Sequence, residues 1–133
     1  MLTNQADLFG DVIHSYSRAE ALADGDLVDV SDTAREAGIK FPTAVTRAVW
    51  DAYVEVPEGV TCQDVAGRLW DVVYMLRAAI ATGGGGDTIT YQLYVHNQTR
   101  QEFADSDLVT LKAICGPGDD AAPVITIMLP DED

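Results

Sequence analysis

Four consecutive glycines, Gly83 to Gly86, separate two stretches of this chain that follow different periodicities. Before them, Val65, Leu69, Val72, Val73, Leu76, Ala79 and Ile80 recur at helical spacing, which predicts an amphipathic helix that Thr61 caps, with Asp64 three residues on. After them the period becomes two: Ile89, Tyr91, Leu93 and Val95 alternate with Thr90, Gln92, Tyr94 and His96, the pattern of a half-buried strand. A chain with both signals must bury a helix stripe against a sheet face. Residues 83–87 themselves read as a flexible loop; no Lys-Ser or Lys-Thr pair and no helix start follows, as a phosphate cradle requires.

The remaining segments extend this pattern. Pro42 can open a helix in which Val45, Val49 and Tyr53 share a face widened by Ala48, Ala52 and Val56, and which Pro57 stops. Strands are expected over 107–115, closed by Gly116-Pro117-Gly118, and over 124–129. The second of these is apolar on both faces and therefore interior to the sheet. Short connections favour an antiparallel meander. Towards the N-terminus, residues 1–6 are expected to be disordered and 11–15 to form a short strand. A helical turn follows, capped by Ser17 and ended at Gly25, then a strand at 27–30 and a helix over 31–37 with Gly38 at its end. The sum is a single α+β domain over 1–133, a mostly antiparallel sheet of about four to five strands with two main helices packed on one face. There is no internal repeat.

Composition restricts the function classes. At 133 residues with 47% hydrophobic side chains, the chain can bury one core. No apolar run approaches the roughly 18 to 20 residues of a membrane span. The N-terminus MLTNQADLFGD lacks the basic and apolar regions of a signal peptide, so a cytoplasmic location is expected. Cys62 and Cys115 are far apart and outside any CxxC pattern, which fits reduced thiols and no metal site. Neither a metal nor another cofactor is expected.

Charge is the dominant bulk signal: eight Lys and Arg against 22 Asp and Glu, a formal net charge of −14. Direct binding to nucleic acid or to an anionic membrane is disfavoured, because both rest on cationic side chains. A basic protein surface is the partner such a field attracts, with solubility as the other role of the acids. The acids cluster: Asp24, Asp26 and Asp29; Glu102, Asp105 and Asp107; Asp119 and Asp120; and the tail Asp131, Glu132 and Asp133 within residues 130–133. Rows of carboxylates can stand in for phosphates in a groove lined with Arg. Acids at the ends of a β-prone run also act as gatekeepers against aggregation.

Catalytic signals are sparse. His14 and His96 have no neighbouring partner in sequence and read as surface or interface histidines; Cys115 reads as a small buried hydrophobe. Trp50-Asp51 and Trp70-Asp71 repeat a dipeptide whose tryptophans are expected at the core or its edge. A small enzyme would need His14, His96 and Cys115 to converge in one cleft.

The stretches VIHSYSRAEALADGDLVDVSDTAREAGIKFPTAVTRAVW, GRLWDVVYMLRAAI and GPGDDAAPVITIMLPDED resemble an uncharacterised domain of unknown function found in bacterial chromosomes and on plasmids and phages. That resemblance implies no activity, but its mobile-element setting implies roles in conflict between element and host. In composition alone the chain is similar to acidic DNA-mimic inhibitors of restriction enzymes and CRISPR effector complexes. The expectation is a non-enzymatic acidic inhibitor or adaptor for a basic, nucleic-acid-binding groove of a host defence protein. The alternative is an assembly module that forms a homodimer or docks through an apolar surface.

Overall fold

The computed structural model describes residues 16–83, 86–97 and 107–133. The expected disorder at 1–6, the expected strand at 11–15, His14, Glu102 and Asp105 lie outside the described residues, as do Gly84 and Gly85 within the loop. The elements are α1 (Arg18–Asp24), β1 (Leu27–Asp29), α2 (Ser31–Glu36), β2 (Thr43–Thr46), α3 (Arg47–Val49), a π-helical turn (Trp50–Val54), α4 (Val65–Thr82), β3 (Thr88–Tyr94), β4 (Leu108–Pro117) and β5 (Pro123–Met128). The class is α+β.

Five strands form one mixed sheet in the order β1, β2, β5, β4, β3. The pairs β3 with β4 and β4 with β5 are antiparallel, the meander that short connections favour. β2 and β5 run parallel, with Thr43 beside Ile125 and Val45 beside Ile127. The apolar strand β5 is thus the central one, as its composition predicts.

Local chemistry explains the helix starts. Ser17 Oγ accepts from Glu20 N at 3.0 Å while Glu20 Oε1 accepts from Ser17 N at 2.9 Å, a reciprocal capping box. Gly25, at φ +83°, closes α1 in the left-handed conformation that glycine adopts without a Cβ clash. α4 is capped by Asp64, whose carboxylate accepts from Gly67 N at 2.7 Å, and not by Thr61. Both residues can cap; the extended backbone at Asp64, followed at once by helix, decides it.

The helix expected from Pro42 to Val56 is corrected. Thr43–Thr46 is a strand held between β1 and β5, and helix begins only at Arg47, where Thr46 Oγ1 accepts from Val49 N at 3.2 Å. Val45 and Val49 are both fully buried, so their spacing of four reports a shared core and not a shared helix. β-branched Thr43, Val45 and Thr46 suit a strand once partners lie on both sides.

The core lies between one sheet face and the helices. Val45, Ile125, Ile127, Leu111, Ala113, Tyr91 and Leu93 face Leu69, Val72, Val73 and Leu76 of α4, together with Val49 and Val54. Tyr91 Oη donates to Val72 O at 2.9 Å, which satisfies a buried hydroxyl. Leu76, Val72 and Val73 are fully buried, each contributing roughly 1.5 to 3 kcal/mol of transfer free energy. Trp50 packs against this core, but Trp70 lies on the outer side of α4, 37% exposed and stacked on Tyr74 at 5.7 Å. Residues four apart share a helix face, and here that face points away from the sheet.

Candidate functional site

α1 lies on the face of the sheet opposite α4. Thr126 alternates with the inward Ile125 and Ile127 and so points outward, and Arg18 reaches it, with Nη1 2.6 Å from Thr126 Oγ1 and Nη2 2.9 Å from Ile125 O. Around α1 three of the acidic clusters meet. At its N-terminal end, Asp119 from the β4–β5 turn accepts from Arg18 N and Ala19 N, both at 2.9 Å. Those backbone bonds, with Arg18 nearby, hold the Asp119 carboxyl below its usual range.

At the other end, about 10 Å along a seven-residue helix, Tyr16 Oη lies 2.6 Å from Asp24 Oδ2 and 2.9 Å from Asp26 Oδ2. The bond to Asp24 leads in pushing the Tyr16 phenol well above its usual range. Leu27, next to Asp26, pairs with Thr46, and Thr46 Oγ1 donates to Glu132 Oε1 at 2.8 Å. The C-terminal tail is therefore tied beside the 24–26 cluster. Leu129 N donates to the same Glu132 oxygen at 2.7 Å.

Several acids in these clusters have a structural task. Asp119 holds the start of α1, Glu132 fastens the tail, Asp29 accepts from Ser31 Oγ at 2.6 Å, and Asp120 accepts from Ala122 N at 3.2 Å in its turn. Asp24, Asp26, Asp120, Asp131 and Asp133 are exposed. Asp107 differs from all of them: it is 3% exposed, with Oδ2 3.3 Å from His96 Nδ1, so its carboxylate is not presented at the surface.

The cations near this face are used on backbone oxygens. Arg18 donates to Ile125 O, Lys112 Nζ to Glu132 O at 2.6 Å, and Arg47 Nε to Gly25 O at 2.9 Å. Asp32 and Asp51 form side-chain ion pairs with Arg35 and Arg47. These cations stay charged, and Arg18 acts through its charge on Asp29 and Asp119.

A second polar assembly, invisible in the sequence, sits at the far end of the sheet. Arg68 of α4 is 6% exposed. Its Nε donates to Tyr53 O at 3.0 Å, its Nη1 to Gln63 Oε1 and His96 O, and its Nη2 to Asn97 Oδ1. Asn97 Nδ2 donates to Ala52 O at 2.8 Å. The π-helical turn, closed by Glu55 N to Trp50 O at 2.8 Å, leaves the Ala52 and Tyr53 carbonyls to these side chains. Burial pulls Arg68 below the usual guanidinium range. The partners are separated by up to 45 residues, so no local signal could have grouped them.

His96 is therefore a buried, paired histidine, 11% exposed at its side chain, and not a surface one. Cys115 stands beside Asp87 at the opposite end of the β3–β4 ladder, about 30 Å from His96 by strand rise. His96 and Cys115 do not share a cleft. Cys115 lines a separate apolar hollow of about 180 Å³ with Phe41, Leu76, Ile80 and Ile89. Among the described residues no three His, Cys, Asp or Glu side chains form a metal-binding group, and no helix is long and apolar enough to cross a membrane.

Residues 6–133 match a family of unknown function, DUF6573. The chain belongs to that family. No curated protein and no solved structure matches the chain. The matched residues include both the acidic clusters around α1 and the Arg68 assembly.

Proposed function

We propose that this DUF6573 member is a non-enzymatic, cytoplasmic inhibitor or adaptor that engages a basic, nucleic-acid-binding groove of a host defence protein, of the anti-restriction or anti-CRISPR kind. One observation carries the reading: carboxylates from 24–29, 119–120 and 131–133 flank one short helix. Such a strip offers anionic oxygens to guanidinium groups much as a phosphate backbone does. Uniform solvation would scatter the acids instead.

The test is capture from bacterial lysate at low and high salt, with the wild type beside a variant carrying Asp26→Asn, Asp120→Asn, Asp131→Asn and Asp133→Asn. These positions avoid Asp119 and Glu132, whose loss would disturb the fold. Nucleic-acid-binding complexes are expected on the wild type at low salt and are lost both at high salt and with the variant. Equal retention by the variant sinks the assignment of the strip.

A second reading, an assembly module that docks through an apolar surface, is favoured by the Trp70 and Tyr74 stack on the outside of α4, at 37% and 49% exposure. Binding of that kind is insensitive to salt and is lost with Trp70→Ser.

A further inference from the structure

The two Trp-Asp dipeptides end in different surroundings. Trp50 packs against the core, and Asp51 is paired with Arg47, four residues earlier, at 3.7 Å. Trp70 is exposed, and Asp71 has no hydrogen bond or ion pair among the described residues. Four residues before Asp71 stands Gly67, so the position that supplies a guanidinium to Asp51 carries no side chain here. An open hollow of about 590 Å³ lies over it, its lining including Asp64, Gly67, Arg68, Trp70 and Asp71. Tyr74, one turn on, is outside that lining and stacks on the Trp70 ring at 5.7 Å and 22°, which steadies the indole as a wall. Arg68 does not serve Asp71: its guanidinium is spent on Tyr53 O, Gln63 Oε1, His96 O and Asn97 Oδ1. Burial pushes the Asp71 carboxyl above its ordinary range, with no cation to draw it back.

We propose that this hollow takes an arginine side chain of a partner protein, its guanidinium lying on the Trp70 indole and forking onto the Asp71 carboxylate. Charge complementarity selects the occupant. Two carboxylates, Asp64 and Asp71, face the hollow against one arginine that is 6% exposed and fully occupied inside, so an anion is repelled. An apolar side chain would dry the Asp71 carboxylate further without pairing it. A cation meets both the carboxylate and the aromatic face, and the planar guanidinium suits the pair better than a compact, strongly hydrated ammonium. The incoming arginine thus does for Asp71 what Arg47 does for Asp51 within the chain. The site lies on the outer side of α4, on the sheet face opposite α1, and is separate from the acidic strip.

The test is an NMR titration of the full chain with the peptide acetyl-Gly-Gly-Arg-Gly-Gly-amide, read at the Trp70 indole N–H and the Asp71 carboxyl carbon. Both signals are expected to move together. The same peptide with citrulline, which keeps the shape and loses the charge, should bind at least tenfold more weakly, and the lysine peptide several-fold more weakly. Raising NaCl from 0.1 to 0.5 M should weaken binding several-fold, whereas apolar docking on the Trp70 and Tyr74 stack would be unmoved. Asp71→Asn and Trp70→Ser replace exposed side chains, so the amide spectrum should persist while the arginine peptide binds at least fivefold more weakly. The variant with Asp26→Asn, Asp120→Asn, Asp131→Asn and Asp133→Asn should bind it within twofold of the wild type, so this site and the strip fail separately. No movement of the Trp70 signal at about 10 mM arginine peptide overturns the proposal. Equal binding of the citrulline peptide, or undiminished binding by Asp71→Asn, overturns it as well.

Discussion

The two edges of the sheet are built on opposite principles. β1, at one edge, is three residues long, ends in Asp29, and has α1 with its flanking carboxylates beside it. β3, at the other end of the described sheet, has seven uncharged residues beside an open groove. Acids concentrated near one edge leave the other free of the charge that would keep strands apart.

The largest expected effect is at the anchor of the β3 edge. Arg68→Ala takes the guanidinium donor from the Tyr53 carbonyl and from Asn97 Oδ1, leaving the His96 carbonyl to Gln63 Nε2, and should cost about 3 kcal/mol in urea unfolding, with the Val95 amide losing protection. A loss below about 1 kcal/mol would mean that water replaces the guanidinium. Thr46→Val removes both the cap of Val49 and the tie to Glu132 and should cost about 1 kcal/mol.

The pH dependence of Asp119 probes the acidic side. Its folded carboxyl titrates below the ordinary value of about 3.9. Its contribution is therefore complete above that value and is lost as pH falls through the lower folded value. Asp119→Asn should lower Tm at pH 7, and the gap from the wild type should close towards pH 2. A gap that stays constant would show that the α1 contact does not depend on ionisation. Trp70→Ser is the smallest: an exposed ring should change stability by no more than about 0.5 kcal/mol, so any larger loss of partner binding assigns the outer face of α4 to docking.

Much of this was legible in the residues. Ser17 with Glu20, the α4 stripe, the alternation of β3 and the doubly apolar β5 are local codes, since each depends on spacings of two to four residues. Thr43–Thr46 was not, because its helical spacing of valines satisfies two structures equally and only the flanking β1 and β5 choose between them. Thr61 and Asp64 illustrate the same limit at a helix start. For the site, the sequence located the acidic clusters, but Asp107, alike in composition, is buried against His96 while Asp26 faces solvent.

By itself, then, the sequence determined the α+β class, the central strand, the long helix and the excess of negative charge, all properties of composition or of near neighbours. Only the tertiary structure decided that three acidic clusters separated by up to a hundred residues surround one helix, and that Arg68 and His96 are interior. It also decided that β3 is the last strand of the sheet among the described residues. Those outcomes depend on which strands pair and on which face each layer covers, and pairing is settled by the burial of the whole core and not by any one segment.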